Sequence, residues 1–140
     1  MARRLKNRIL VVEDNDDLRT SISEILALNG YLANEAENGK AALDQLEQSP
    51  TPPALILLDL HMPVMDGMTF LQRLKAIPRL RPIPVLLMTA ESSPPPLEVA
   101  AVLLKPFVFN SLLSLVKQWA TAKQREYKPR RGIAVRRART

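Results

Sequence analysis

Short continuous apolar runs alternate along this chain with longer stretches in which apolar positions recur three or four residues apart. Residues 9–12, Ile-Leu-Val-Val, are rich in β-branched side chains and are followed at once by Glu13 and Asp14, which predicts a buried strand. Over residues 14–29, Leu18, Ile22, Ile25, Leu26 and Leu28 keep a helical spacing that stops at Asn29-Gly30, and Asp14 is itself a candidate helix cap. Residues 31–35 read as a weaker, half-polar strand suited to a sheet edge. Asn38-Gly39 opens a second helix through Ala41, Ala42, Leu43 and Leu46, stopped by SPTPP at residues 49–53.

Residues 54–58 form the next apolar run and end on Asp59, where the chain breaks into a Met-Pro turn. Asp66-Gly67 begins a third helix through Phe70, Leu71 and Leu74, closed by Pro78. Residues 83–88 and 99–104 are two further apolar runs, ending on Thr89-Ala90 and on Lys105-Pro106. Asn110 is placed to cap a last helix with Leu112, Leu113, Val116 and Trp119 on one face. Fully apolar strands alternating with amphipathic helices predict an α/β fold, a parallel sheet covered on both faces. Ligands of such sheets gather at the carboxyl ends of the strands. Glu13, Asp14, Asp59, Thr89 and Lys105 all stand there.

One connection departs from the alternation. ESSPPPLEVA, residues 91–100, contains Pro94-Pro95-Pro96, which favours extended polyproline conformation over helix. A loop or a vestigial helical turn is expected in place of a crossover helix.

Composition adds less than charge. The 140 residues are 46% apolar and 24% charged, enough for one domain with a real core. The absence of cysteine excludes disulfides, thiol catalysis and cysteine metal sites, and suits a cytoplasmic location. The basic-then-apolar start superficially resembles a signal peptide, but its apolar core of residues 9–12 is too short, and export is not expected. No run is long enough to insert in a membrane. Residues 1–116 carry 11 Lys/Arg against 13 Asp/Glu, a balance of −2, and residues 117–140 carry 9 against 1, a balance of +8. A mildly acidic domain over residues 1–122, with its core at about 7–120, is therefore expected to end in a basic, disordered tail at 123–140. That tail could contact nucleic acid nonspecifically, but it is too short for a helix-turn-helix and lacks a zinc-ligand pattern.

Carboxylates gathered at one sheet edge repel one another, and a hard divalent cation such as Mg²⁺ relieves the repulsion. An aspartate that attacks phosphorus forms an acyl phosphate, which a cation and a hydroxyl can steady. Asp59 is the central candidate. In this order, ILVVEDN, LLDLHMPVMDG, PVLLMTA and LLKPF resemble the receiver domain of bacterial two-component response regulators over residues 7–120. The resemblance implies a flavodoxin-like, doubly wound, three-layer fold around a five-stranded parallel sheet, here with the fourth helix shortened or missing. It implies that Asp59 accepts phosphate from a sensor histidine kinase or phosphotransfer protein, acting with Mg²⁺ as cofactor. Asp14 and Asp59 would hold the metal directly, Glu13 through water, and His61 through its backbone carbonyl rather than its imidazole. Thr89 would be the switch hydroxyl and Lys105 the cation that pairs with phosphate. Pro63 and Gly67 would shape the loop, and Lys105-Pro106 would be a cis peptide. Output would pass through contact with a downstream protein, with dimerisation left open, so the chain is expected to be a switch and not a turnover enzyme.

Two departures bear on that output. The family's switch aromatic falls on Val102, and the preceding helix is replaced by the proline-rich link. A receiver-fold binding module without phosphorylation-dependent switching is the alternative. An aspartate-nucleophile phosphatase of the haloacid dehalogenase kind needs a second acid where His61 stands, and a dinucleotide-binding dehydrogenase needs glycines absent from VVEDNDDL.

Overall fold

The computed structural model describes residues 8–120. In chain order these form β1 (Arg8–Val12), α1 (Asp16–Leu28), β2 (Leu32–Ala36), α2 (Gly39–Gln48), β3 (Leu55–Asp59), α3 (Gly67–Lys75), β4 (Val85–Thr89), β5 (Ala101–Leu104) and α4 (Phe109–Ala120). The tail expected at 123–140 lies outside the described residues. The five strands are parallel in the order β2-β1-β3-β4-β5. This is the flavodoxin-like doubly wound arrangement, with four helices among the described residues. The half-polar strand at residues 32–36 is indeed an edge.

Strand periodicity of two sorts the core. Leu10, Val12, Ile56, Leu58, Val85 and Leu87 face α2 and α3, while Ile9, Val11, Leu55, Leu57, Leu86 and Met88 face α1 and α4. Because both sets are buried, the strands read as unbroken apolar runs in the sequence.

Helix starts follow local chemistry. Asn38 and Asp66 cap α2 and α3, each side-chain oxygen accepting the N–H three residues on, at 2.9 Å from Ala41 and from Thr69. Asn29 closes α1, and Gly30 takes φ +86°, a conformation that suits glycine. The Arg79 guanidinium closes α2 from outside by donating to the carbonyls of Leu46, Glu47 and Ser49.

Two local expectations need correction. Asn110 is not the cap of α4, because the Ser111 and Leu112 N–H groups reach back to the Val108 carbonyl and put Asn110 inside the first turn. The buried face of that helix is Leu112, Leu115, Val116 and Ala120, with Leu113 and Trp119 half-buried beside it.

Between β4 and β5 the chain makes no helix. The Val99 N–H donates to the Leu97 carbonyl in a tight turn, and the Ala100 N–H then joins the sheet at Val85. Leu97 and Val99 lie half-buried on the α2/α3 side of the core and cover sheet that a helix would otherwise shield. Val102 is buried beneath them, 1% exposed.

Candidate functional site: an acidic cluster at the sheet edge

Chain order places the site. β1 continues to β2 on one side and the chain then returns to β3 on the other, so the crevice between β1 and β3 is the topological switch point. Val12 pairs with Leu58, so Glu13 and Asp59 follow at the same level on adjacent strands.

The loop after β1 is held at both ends of Glu13 and at Asn15. The Glu13 N–H donates to the Ala36 carbonyl at 3.1 Å. Its carboxylate accepts the Asn15 N–H at 3.1 Å and the Lys105 ammonium at 2.7 Å, while only 1% of the residue is exposed. Asn15 caps α1, its side-chain oxygen accepting the Leu18 N–H at 2.8 Å. Asp14 therefore has no capping duty, contrary to one reading of the sequence, and its carboxylate joins the cluster.

Asp59 is 6% exposed at the last position of β3. Behind it runs the start of α3, where the Gly67 N–H donates to the Leu60 carbonyl at 2.8 Å. A Cβ on Gly67 would stand 2.5 Å from the Asp59 carbonyl oxygen, so only glycine allows this approach. The intervening turn holds Val64 at φ 69°, a conformation that β-branched residues rarely adopt, with its side chain exposed. The turn is pinned to α2 by the Gly39 N–H, which donates to the Met65 carbonyl at 3.1 Å.

Carboxylate oxygens of Glu13, Asp14 and Asp59 all lie within 4.8 Å of one another. Burial, with the Glu13 charge and the Asp14 carboxyl beside it, pushes the Asp59 carboxyl up to about 6 from its usual 3.8. The Lys105 ammonium, 3.5 Å away, opposes that shift but is drawn more closely to Glu13. One ammonium among three carboxylates leaves an excess of negative charge. Hard oxygen donors with such an excess suit Mg²⁺, which takes one or two carboxylates and completes its shell with water and phosphate oxygens.

Lys105 is joined to Pro106 by a cis peptide, and its N–H donates to the Thr89 carbonyl at 2.8 Å, fixing β5 beside β4. Thr89 is fully buried at the same edge, and its hydroxyl oxygen accepts the Glu91 N–H at 3.1 Å. The His61 imidazole points away from the carboxylates toward Glu91, Nε2 to Oε2 at 3.2 Å, with its side chain 70% exposed.

Sequence reasoning did not find Arg19. Its guanidinium donates to the Glu13 carbonyl at 2.7 Å, to Asp16 at 2.6 Å and to Glu35 at 3.1 Å. Burial works against its charge, and the paired Asp16 and Glu35 outweigh burial, holding its pKa above the ordinary value. The Asp16–Arg19 spacing of three residues on a helix was the available signal.

The family model for the response regulator receiver domain matches residues 9–117. The chain is 36% identical over 116 residues to the transcriptional regulatory protein PrrA of Mycobacterium leprae, an alignment covering 79% of this chain and 48% of that protein. It thus spans about half the length of that relative. The signal receiver domain of a signal transduction histidine kinase from Syntrophus aciditrophicus is similar at TM-score 0.74 and 32% identity, covering 82% of this chain and 90% of that one. The response regulator TrrA of Thermotoga maritima, solved in complex with Mg²⁺-BeF, is similar at TM-score 0.68 and 27% identity, covering 81% and 98%.

Proposed function

The chain belongs to the response regulator receiver-domain family of two-component signalling, and from that premise we propose that it accepts a phosphoryl group on Asp59. The observation that carries the reading is the buried Asp59 carboxyl beside those of Glu13 and Asp14, with the Lys105 ammonium within reach of both Glu13 and Asp59. Burial and the neighbouring Glu13 charge raise the Asp59 carboxyl above the ordinary aspartate range, so its carboxylate is more basic than an exposed one, and a bound cation would favour the ionised form.

The donor is a phosphohistidine on a sensor histidine kinase or phosphotransfer protein. An Asp59 carboxylate oxygen bonds to phosphorus, the P–N bond breaks, and the imidazole leaves and takes up a proton. Asp14 and Asp59 would hold Mg²⁺ directly, with Glu13 reaching it through water and His61 through its backbone carbonyl. When bound, the cation neutralises charge on the equatorial phosphoryl oxygens. Lys105 then exchanges its contact with Glu13 for one with the phosphoryl group. Thr89 turns its hydroxyl from the Glu91 N–H to donate to a phosphoryl oxygen. Output is by contact with a downstream protein.

A second reading keeps the fold and loses the switch, and Val102 favours it. The position where the family carries a switch aromatic is a small, buried aliphatic side chain under the proline-rich link. The first experiment is intact mass after incubation with acetyl phosphate, with and without Mg²⁺, for the native chain and Asp59→Asn. A phosphate-sized gain that needs Mg²⁺ and Asp59 is expected, and no gain in the native chain sinks the proposal. Amide-proton exchange of the phosphorylated form then separates the readings, because a pure docking module shows no change in protection beyond the site.

A further inference from the structure

Three candidates outside the carboxylate cluster stand out. They are the His61–Glu91 pair, the proline-rich link and the three-way contact of Arg19. The observations carry Arg19 furthest.

We propose that Arg19 is a positioning residue for the cation site, fixing the direction of the Asp14 carboxylate through the Glu13–Asp14 peptide. The inference rests on the reading of Glu13, Asp14 and Asp59 as a Mg²⁺ site. That peptide leaves β1 at the sheet edge, where its carbonyl has no strand partner. Its orientation decides where the Asp14 side chain points. Glu13 is held from its nitrogen by the Ala36 carbonyl on β2, at 3.1 Å, and the Arg19 guanidinium holds its carbonyl at 2.7 Å. The other two guanidinium nitrogens donate to Asp16 in the first turn of α1 and to Glu35 of β2. Three elements are therefore gathered on one planar group whose side chain is only 14% exposed. A lysine offers a point charge in place of a fork and cannot reach all three partners along fixed directions.

Charge alone makes the opposite prediction. Arg19 is a cation near a cation site, so removing it would favour Mg²⁺ if its effect were only electrostatic. Its pairing with Asp16 and Glu35 largely cancels its field, which leaves orientation as the larger effect. Groups that orient metal ligands commonly change affinity by about 10–100-fold when removed.

The test is Mg²⁺ affinity by isothermal titration calorimetry on the full chain, comparing the native protein with Arg19→Gln, Arg19→Lys and Arg79→Gln. Arg79 is the control, since its guanidinium likewise makes three hydrogen bonds, all of them to carbonyls, but at the far end of α2. Melting without metal is recorded for each variant. Both Arg19 variants are expected to bind Mg²⁺ about 10-fold more weakly, with Arg79→Gln melting earlier at native affinity. Native affinity in Arg19→Lys, or tighter binding in Arg19→Gln, overturns the proposal while leaving the cation site standing. Equal weakening in Arg79→Gln reduces Arg19 to general stability and also overturns it. If Arg19→Gln does not fold, Arg19→Lys decides alone. A native chain that binds no Mg²⁺ removes the cation site and this inference together.

Discussion

The two halves of the sheet's carboxyl edge are built in different ways. On the β1–β3 side the chain is braced from every direction. Glu13 is held by Ala36, Asn15, Arg19 and Lys105, and Asp59 is backed by a glycine with no room for a methyl group. On the β4–β5 side a link containing three prolines replaces a helix, half-buried and secured by Leu97, Val99 and few hydrogen bonds. The three carboxylates lie in the first half, and Thr89 at the end of β4 and Lys105 just after β5 bring a hydroxyl and an ammonium to the same edge from the second. In the second half an extended strap joins β4 to β5, where each of the other three crossovers of the sheet carries a helix.

The largest expected effect strikes the braced half. Gly67→Ala forces a Cβ onto the Asp59 carbonyl oxygen and the Leu60 Cα, both backbone atoms that cannot swing aside. A loss of about 3 kcal/mol is expected in urea unfolding, with Mg²⁺ affinity falling alongside it because Asp59 moves. Full stability in that variant would show that the braced half is softer than its contacts imply.

Next in size is the charge stored in the same half. The folded protein holds the Asp59 proton up to about pH 6, whereas an unfolded aspartate releases it near 3.8. As pH rises through that window the ionised carboxylate opposes folding, and above it the penalty levels off at about 2 kcal/mol once solvent screening is allowed for. Asp59→Asn removes the penalty. Without metal it is expected to melt about 6 °C above the native chain at pH 7.5, with the gap closing by pH 4. A gap independent of pH would assign the gain to packing and not to charge. Mg²⁺ is expected to narrow the gap, by stabilising the native chain more than the variant.

The smallest effect sharpens the contrast from the other side. Leu97→Ala removes a half-buried side chain from the strap and is expected to cost about 1–2 kcal/mol, less than a fully buried leucine. Mg²⁺ affinity is expected to hold within about twofold, since a contact loss remote from the ligands should add independently. A parallel fall in affinity would show that the strap and the acidic cluster are one unit.

Much of this was legible along the chain because the information is local. Continuous apolar runs specify strands buried on both faces, and Asn38 and Asp66 announce the helices they cap. The placement of Asp14, Asp59, Thr89 and Lys105 at strand ends follows from the same runs. Where several neighbouring side chains could perform one task, the sequence was silent. Asn15 and Asp14 could each have capped α1, and the outcome turned on which of them other groups left free. At the start of α4 the backbone turned back onto Val108, two residues before the expected cap Asn110, and Leu115 joined the buried face.

The sequence by itself determined the order of strands and helices, the break in their alternation at the proline-rich link, and the carboxylates at one edge, while the structure decided that the link holds no helical turn. Only the tertiary structure decided what each charge touches. Lys105 reaches Glu13 across 92 residues, Arg19 finds a carbonyl beside a carboxylate, and the Thr89 hydroxyl turns to the Glu91 N–H. The physical reason is range. Helix and strand preferences come from neighbours within a few positions, while a buried charge is governed by whatever donors and acceptors the packed sheet brings within about 3–4 Å.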